Sequence, residues 1–257
     1  MNTESFQSEG HATVLGSLDA SLLLKCKEEV SNLFNVPSYR ERSVTVRSVF
    51  ERSPEKFSPY ILLEDIPESE IFIGPSPHGH SRVFRTLVCE QLVWQFASKC
   101  LDVPLEKLVL NYSQIIRKAP FCSPRVSWHR DFGNNHISTQ NSCHMVRILI
   151  PLQKYSSLSG ETAVVPKSHF ITDKEALGKN RLDSSKCKSD SVNLDIGSGD
   201  MLAINSKSIH GSEINETSNY RDQLVVQFAV EGVEYYKSLG AVNSEPYYLS
   251  TRSEICA

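Results

Sequence analysis

The chain has 257 residues, 40% of them hydrophobic and 22% charged, which suffices for one domain with a substantial core and excludes long disordered stretches. Its 27 basic and 30 acidic side chains give a formal net charge of −3, so no general field attracts nucleic acid or an anionic membrane. The polar N-terminus and the lack of an apolar run of about 18 residues favour neither a signal peptide nor a membrane span, and a cytoplasmic protein is expected.

Two amphipathic helices are predicted in the N-terminal part of the chain. The segment Leu18–Phe34 carries apolar residues at helical spacing, and Ser17 or Asp19 could cap its start. The second helix is predicted over Arg82–Leu101, and Pro104 follows it because proline cannot continue the hydrogen-bond ladder. The stretch between them, rich in proline and glycine, is expected to form short strands and loops.

From about residue 106 the pattern changes to alternation, which is typical of strands. Short segments rich in Val, Ile and Leu are predicted as strands at 108–113, 126–129, 145–152, 162–166, 201–205 and 223–230. Helices followed by strands predict a mainly β protein with flanking helices (α+β), a sandwich or barrel packed on an N-terminal helical layer. We predict one domain over 1–257, with the helical layer at about 15–105, the β core at about 106–235 and an extension at 236–257. The polar segment Ser184–Ser191 is predicted to be a surface loop or lid.

The cysteine pattern bears on the redox environment. Seven cysteines are spaced irregularly, and no Cys-x-x-Cys pair occurs. Zinc-finger spacing is therefore absent, and reduced thiols in an intracellular protein are expected.

Residues that suit a metal ion lie at the end of one predicted strand. His129 and Asp131 are two positions apart, so on a strand both side chains point to one face and Arg130 to the other. Taken alone, such a pair is more often a hydrogen-bonded surface pair. His210, which follows another strand, completes a set of two imidazoles and one carboxylate, the ligands that leave one face of iron(II) open.

An arginine follows the distal histidine at a spacing that suits an anion site. Arg221 lies eleven residues past His210 on the next predicted strand, and a guanidinium there suits a bidentate carboxylate partner. The alternative is a surface ion pair of Arg221 with Asp222 or Glu213. Together these residues predict a metal-dependent oxygenase that binds a keto-acid co-substrate.

Four ordered motifs resemble one protein family over about residues 108–230. They are Trp128-His129-Arg130-Asp131, the stretch from Gly160 to His169, Gly199-Asp200 ahead of a strand, and His210-Gly211-Ser212 with Arg221. In this order they are similar to the phytanoyl-CoA dioxygenase (PhyH-like) branch of the iron(II)/2-oxoglutarate oxygenases. One departure is Lys167, where the family has glycine. The lysine is expected to occupy a turn that needs no positive φ, and His169 is expected to be structural.

The resemblance implies a double-stranded β-helix (jelly roll, cupin-like) core and a role for each matched residue. By this likeness His129, Asp131 and His210 bind Fe(II), while Arg221, assisted by Ser212, holds the distal carboxylate of the co-substrate 2-oxoglutarate. Dioxygen is the second co-substrate, and succinate and carbon dioxide are released. The expected reaction is hydroxylation of an amino-acid-like molecule or natural-product intermediate. Related halogenases have Gly or Ala in place of Asp131, so the carboxylate favours hydroxylation, desaturation or ring formation.

Other functions stay open at this point. A cupin-type isomerase, or a dioxygenase without co-substrate, would share the barrel and the histidines but would not need Arg221. A non-catalytic binding module on the same fold need not hold metal, and a protein-modifying oxygenase is a further alternative. The partner is expected to be a small molecule, without nucleic acid or membrane, and the oligomeric state is open. Contact with substrate is undecided for Lys118, Arg125, His136, His144 and Arg147.

Overall fold

The computed structural model describes residues 3–45, 71–120, 125–132, 137–139, 145–156, 158–172, 175, 182–232, 235–237 and 250–256; at 42, 44, 45, 137–139 and 235–237 it describes the backbone. The strands in these ranges are β1 (His11–Val14), β2 (Val44–Thr45), β3 (Ile71–Pro75), β4 (Leu108–Lys118), β5 (Val126–His129), β6 (Ile137–Thr139), β7 (Met145–Pro151), β8 (Thr162–Val164), β9 (Val192–Asn193), β10 (Met201–Asn205), β11 (His210–Ser212), β12 (Arg221–Val230) and β13 (Tyr235–Lys237). The helices are α1 (Glu4–Glu9), α2 (Ala20–Asn35), α3 (Pro37–Arg42), α4 (Pro77–His80), α5 (Arg82–Cys89), α6 (Gln91–Leu101), α7 (Ser184–Asp190) and α8 (Arg252–Cys256), with 3-10 turns at Leu105–Lys107 and Ser168–Phe170.

Two antiparallel sheets build a jelly roll. The larger sheet has the strand order β1-β10-β7-β12-β4-β3-β2, and the smaller has the order β5-β11-β8-β9. A separate pair is formed by β13 and β6. Strands β2 and β3 of the larger sheet lie in the stretch that was expected to form short strands and loops, whereas β1 was not predicted.

Both faces of the larger sheet carry buried apolar clusters. One face packs on the helices, where the ring of Trp94 meets that of Phe228 edge-on with centroids 4.8 Å apart. The other face contacts the smaller sheet through a second apolar cluster that includes Leu149, Val225 and Val164. Each buried aliphatic or aromatic side chain contributes about 1.5–3 kcal/mol, so these two layers dominate stability. The predicted α+β class with a jelly-roll core is confirmed.

The first predicted helix forms with the predicted cap. Helix α2 begins after Asp19, whose carboxylate accepts hydrogen bonds from the backbone N–H groups of Ser21 and Leu22 at 2.6 and 3.4 Å. These bonds satisfy backbone donors that the first helical turn leaves unpaired. The apolar face is buried through Cys26 and Val30, two of the positions that the helical spacing indicated.

The second predicted helix, Arg82–Leu101, is wrong as a continuous element. Glu90 has φ −54° and ψ 126°, which interrupts the helix between α5 and α6. The carbonyl groups released at this break find other donors, because the Trp94 indole bonds the Val88 oxygen at 2.9 Å and Arg252 bonds the Cys89 oxygen at 2.7 and 3.1 Å. Tertiary partners therefore support a break that contains neither proline nor glycine.

The structure also corrects the expectation for the polar segment Ser184–Ser191. It forms helix α7, because the Asp183 carboxylate caps it through the backbone N–H groups of Ser185 and Lys186 at 2.9 and 3.1 Å. A capped helix was not expected there, since the segment lacks an apolar stripe. Its side chain Cys187 is buried.

Two cysteines do not remain reduced thiols as expected. Cys89 and Cys256 form a disulfide across 167 positions of sequence, which ties helix α8 to the end of α5. In the described ranges the free cysteines are Cys26, Cys100 and Cys187, all of them buried.

Among the helices of the described ranges, none has both the length and the apolar character that a membrane crossing requires.

Candidate active site

Strand pairing brings the two candidate histidines together. His129 ends β5 and His210 begins β11, and the two residues are direct partners in the antiparallel pair. Their imidazole centroids are 4.2 Å apart. The strands approach closely at Gly211, where a Cβ atom would lie 2.9 Å from the Val126 carbonyl oxygen and 3.2 Å from the Trp128 ring. Glycine at this position therefore permits the approach that places the histidines side by side.

Backbone carbonyl groups fix the tautomer of both imidazoles. The Nδ1 atom of His129 lies 2.8 Å from the Ser127 oxygen, and that of His210 lies 3.0 Å from the Ser208 oxygen. A carbonyl oxygen accepts only, so each Nδ1 donates, and in the neutral tautomer Nε2 carries the lone pair. A hydrogen bond of this kind commonly orients a metal-binding histidine.

Asp131 completes the cluster. Its Oδ1 atom lies 3.7 Å from Nε2 of His129 and 3.8 Å from Nε2 of His210, and the candidate ligand atoms all lie within 4.8 Å of one another. Metal–ligand bonds of about 2.0–2.2 Å can bridge the two Asp131–histidine separations. Burial, assisted by His210, lowers the pKa of His129 to about 3, so this imidazole stays neutral and can coordinate. The donor set fits a divalent metal ion with nitrogen and oxygen ligands.

Arg221 points into the protein rather than to bulk solvent. It is 2% exposed; Nη2 donates to the Gly160 oxygen at 2.5 Å, and the guanidinium carbon lies 5.1 Å from the Tyr155 ring centroid. The two acidic residues that were the alternative partners of Arg221 pair with other basic residues. Asp222 pairs with Arg117 at 2.7 Å, whereas Glu213 pairs with Arg125 and Lys188.

Polar atoms beside Arg221 lack internal partners. In the part of the chain that the structure describes, neither Nε of Arg221 nor Oγ of Ser212 has a hydrogen-bond partner, although both are buried. Ser212 pairs across the strands with Thr162, two residues beyond Gly160, so both polar groups lie near one segment. Buried donors without partners are costly, and a carboxylate is the group that would satisfy this pair.

The structure places Lys118, whose contact with substrate the sequence leaves undecided, next to Arg221. It is completely buried, lies directly across from Arg221 in the β4–β12 pair, and donates through Nζ to the Glu213 carbonyl oxygen. Burial, together with the Arg221 charge, holds the pKa of Lys118 well below its ordinary value. Like groups facing each other across strands are unfavourable, so the pair indicates a site built for an anion. To find this role of Lys118 from the sequence, one would need the register of β4 with β12, and no sequence motif records that register.

The turn after β8 supports the distal histidine. The hydroxyl of Ser168 accepts from the backbone N–H of Ile209 at 2.7 Å, directly before His210. Lys167 has φ 62°, so the expectation that this lysine needs no positive φ is wrong. The family's glycine fits that backbone better than lysine does. His169 bonds the Gln7 oxygen through Nε2 at 3.0 Å, in keeping with a structural role.

The remaining candidates divide into three groups. Arg125 forms an ion pair with Glu213 at 3.2 Å. Arg147 reaches the cluster itself, with Nη1 2.8 Å from Oδ1 of Asp131. His136 and His144 lie outside the described residues. The arginines thus have carboxylate partners within the protein, and their presence alone does not indicate a charged substrate.

Solved structures with similar folds are available for comparison. The chain is similar to the non-heme alpha ketoglutarate dependent epimerase SnoN from nogalamycin biosynthesis, with a TM-score of 0.71, 15% identity, and coverage of 97% of this chain and 92% of that one. The carbocyclase SnoK from the same biosynthesis gives a TM-score of 0.71, 14% identity, and coverage of 94% and 87%. HygX from Streptomyces hygroscopicus gives a TM-score of 0.63, 16% identity, and coverage of 90% and 88%. At these identities the likenesses show the fold.

Sequence comparison supplies the family. A search of curated proteins found no match. The family model described as Phytanoyl-CoA dioxygenase (PhyH) matches residues 19–222, which include all of the cluster residues and Arg221. Because this match spans most of the sequence, the chain belongs to the phytanoyl-CoA dioxygenase (PhyH) family.

Proposed function

We propose that the protein is a non-haem Fe(II)/2-oxoglutarate-dependent oxygenase that hydroxylates a small molecule. The observation that carries the proposal is the convergence of His129, Asp131 and His210 beside a buried arginine. The family supports the same activity class. Similar folds have been solved with Fe3+ and alpha ketoglutarate in SnoN, and with nickel and 2-oxoglutarate in HygX.

Each residue of the site has a proposed task. His129, Asp131 and His210 hold the iron, which when bound would activate dioxygen as the keto acid is oxidised. Ser127 and Ser208 orient the imidazoles through their carbonyl oxygens. The protein thereby presents two imidazole nitrogen atoms and one carboxylate oxygen atom to the metal.

The co-substrate's distal carboxylate is assigned to the pocket of Arg221 and Ser212. The unpaired Nε and Oγ atoms supply two donors, and the Lys118 amine adds a third polar group on the neighbouring strand. Exclusion of water from this pocket strengthens these interactions. The arrangement supports an oxygenase with a keto-acid co-substrate over a cupin-type enzyme, since the latter has no use for a buried anion pocket.

The organic substrate is proposed to be a small molecule, an amino-acid-like compound or a natural-product intermediate. SnoN has been solved with nogalamycin RO, and the similar folds include an epimerase and a carbocyclase. Product mass separates the outcomes: hydroxylation adds one oxygen atom, desaturation or cyclisation removes two hydrogens, and epimerisation leaves the mass unchanged. Hydroxylation is the outcome that we propose.

The test is 2-oxoglutarate-dependent succinate release with Fe(II) and a pool of small molecules. The parent protein should release succinate above its background when a substrate is present, whereas Asp131→Ala should lose both iron binding and turnover. Asp190→Ala, which removes an exposed carboxylate from helix α7, is the control and should behave as the parent does. Turnover that persists in Asp131→Ala, or metal binding without any 2-oxoglutarate consumption, would contradict the proposal.

A further inference from the structure

One arginine, whose side chain is 13% exposed, contacts a proposed metal ligand directly. Arg147 lies in the middle of β7, and its Nη1 atom is 2.8 Å from Oδ1 of Asp131. Its Nε atom donates to Oε1 of Gln227 at 2.8 Å. Gln227 is the cross-strand partner of Arg147 in the β7–β12 pair, so both side chains rise from the interior face of the larger sheet.

The contacted oxygen is the one that faces the imidazoles. Oδ1 of Asp131 lies 3.7 and 3.8 Å from the two histidine Nε2 atoms. The carboxylate is completely buried and lies two positions past the last residue of the short strand β5, so its orientation depends on its neighbours. Arg147 approaches from the larger sheet, whereas the histidines lie on the smaller sheet. The ion pair therefore joins the two sheets at the cluster.

We infer that Arg147, aimed by Gln227, is a positioning residue that holds the Asp131 carboxylate in its metal-binding orientation. The inference rests on the proposed function, because it assigns a task toward the same metal. Two effects of the guanidinium oppose each other. Its charge repels a dication and competes with it for the buried carboxylate, but its contact with Oδ1 fixes the direction in which that carboxylate points.

Orientation is the larger effect on this view. The ion pair with Asp131 partly neutralises the positive charge of Arg147, and this weakens the repulsion between Arg147 and a metal ion. Changes to residues that orient metal ligands commonly reduce metal affinity or activity by about 10–100-fold. We therefore expect metal binding to become weaker, not tighter, when Arg147 is removed.

The experiment measures Co(II) binding to the metal-free full-length protein by visible absorption. Arg147→Met should raise the dissociation constant for Co(II) by about 10–100-fold. Arg147→Lys should give an intermediate constant, because it keeps the charge but loses the planar fork. Gln227→Met should shift the constant in the same direction by less, since the guanidinium remains but is no longer aimed.

A matched control comes from the other face of the same sheet. Arg117 and Asp222 form a comparable buried ion pair at 2.7 and 3.0 Å, and Arg117→Met breaks it away from the cluster. This variant should lose stability yet bind Co(II) as the parent does. If Arg147→Met fails to fold, the Co(II) dissociation constants of Arg147→Lys and Gln227→Met test the positioning role.

The outcomes separate this inference from the proposed function. Unchanged or tighter Co(II) binding in the folded Arg147 and Gln227 variants overturns the positioning role. If Asp131→Ala also binds Co(II) as the parent does, the proposed function fails as well. Loss of binding in Asp131→Ala with parent-like binding in the Arg147 variants refutes the positioning role alone.

Discussion

At the scale of single residues, Lys167 carries the clearest conformational cost. Its φ of 62° lies in the left-handed region, where a residue with a Cβ atom is disfavoured by about 1–2 kcal/mol. The neighbouring contacts explain how the turn persists, because the backbone N–H of Lys167 donates to the Glu9 oxygen at 2.8 Å and Ser168 holds Ile209. The turn supports the strand that begins with His210, so the strained residue lies beside the proposed site.

Lys167→Gly should therefore stabilise the protein. The free energy gained by removing the strain of the left-handed conformation exceeds the cost of a more flexible unfolded chain. The expected net gain in the free energy of unfolding is about 0.5–1 kcal/mol. Urea denaturation measures it. Lys167→Ala is the control, because it removes the exposed ion pair with Glu9 but keeps the Cβ atom, and it should gain nothing. Equal stability changes in both variants would refute the conformational explanation.

Residue-level prediction from sequence succeeds where chemistry depends on local spacing. The spacing of two positions indicated that His129 and Asp131 lie together, although β5 ends at His129 and Asp131 lies in the bend that follows. The order of the motifs added His210 to this cluster. The burial of Lys118 and the ion pair of Arg147 with Asp131 depend on which strands become neighbours. That information lies in pairings across more than a hundred positions, such as Lys118 with Arg221, and no local pattern records it.

At the scale of elements, short strands were easier to predict than helix ends. The boundaries of β5 and β10 agree with the predicted segments 126–129 and 201–205, because turn-forming residues bound their short apolar runs. The interruption at Glu90 could not be predicted, since its released carbonyl groups are bonded by Trp94 and by Arg252, which is far away in sequence. Helix α7 was missed because capping, not apolar periodicity, defines it.

Close approach of β5 and β11 leads to a prediction about one glycine. In Gly211→Ala the new methyl group would lie 2.9 Å from the Val126 carbonyl oxygen, which forces the strands apart. We expect a loss of about 1–3 kcal/mol in the free energy of unfolding and weaker Co(II) binding, because the His129–His210 pairing spans the same strands. Thermal unfolding and the absorption titration measure the two effects.

The control for this strand contact is Gly79→Ala. Gly79 lies in helix α4, and a Cβ atom there would meet no atom within 4 Å. It should leave stability nearly unchanged and Co(II) binding intact. A Gly211→Ala protein that binds Co(II) as tightly as the parent would show that the spacing of the two strands does not set the metal site.

At the scale of the whole molecule, contacts between segments that are distant in sequence hold residues 250–256 against β4 and α5. The C-terminal residues pair with β4 through reciprocal backbone hydrogen bonds between Ser250 and Leu110 at 2.8 and 3.1 Å. Ile255 joins the large apolar core, and the Cys89–Cys256 disulfide holds helix α8 against α5. The family match ends at residue 222, so residues 250–256 lie outside the matched segment and no matched motif indicates their contacts.

The disulfide should contribute to stability by restricting the unfolded chain. A cross-link across 167 positions of sequence removes much of the unfolded chain's freedom, and its loss should cost about 3–5 kcal/mol. Reductant should therefore lower the unfolding midpoint in urea for the parent protein, and Cys256→Ser should show the lower midpoint with or without reductant. Cys187→Ser, which removes a buried free thiol from helix α7, should keep the parent's sensitivity to reductant.

Alkylation of the unfolded, non-reduced protein followed by mass measurement counts the free thiols directly. Modification of every cysteine would show that the Cys89–Cys256 bond does not form.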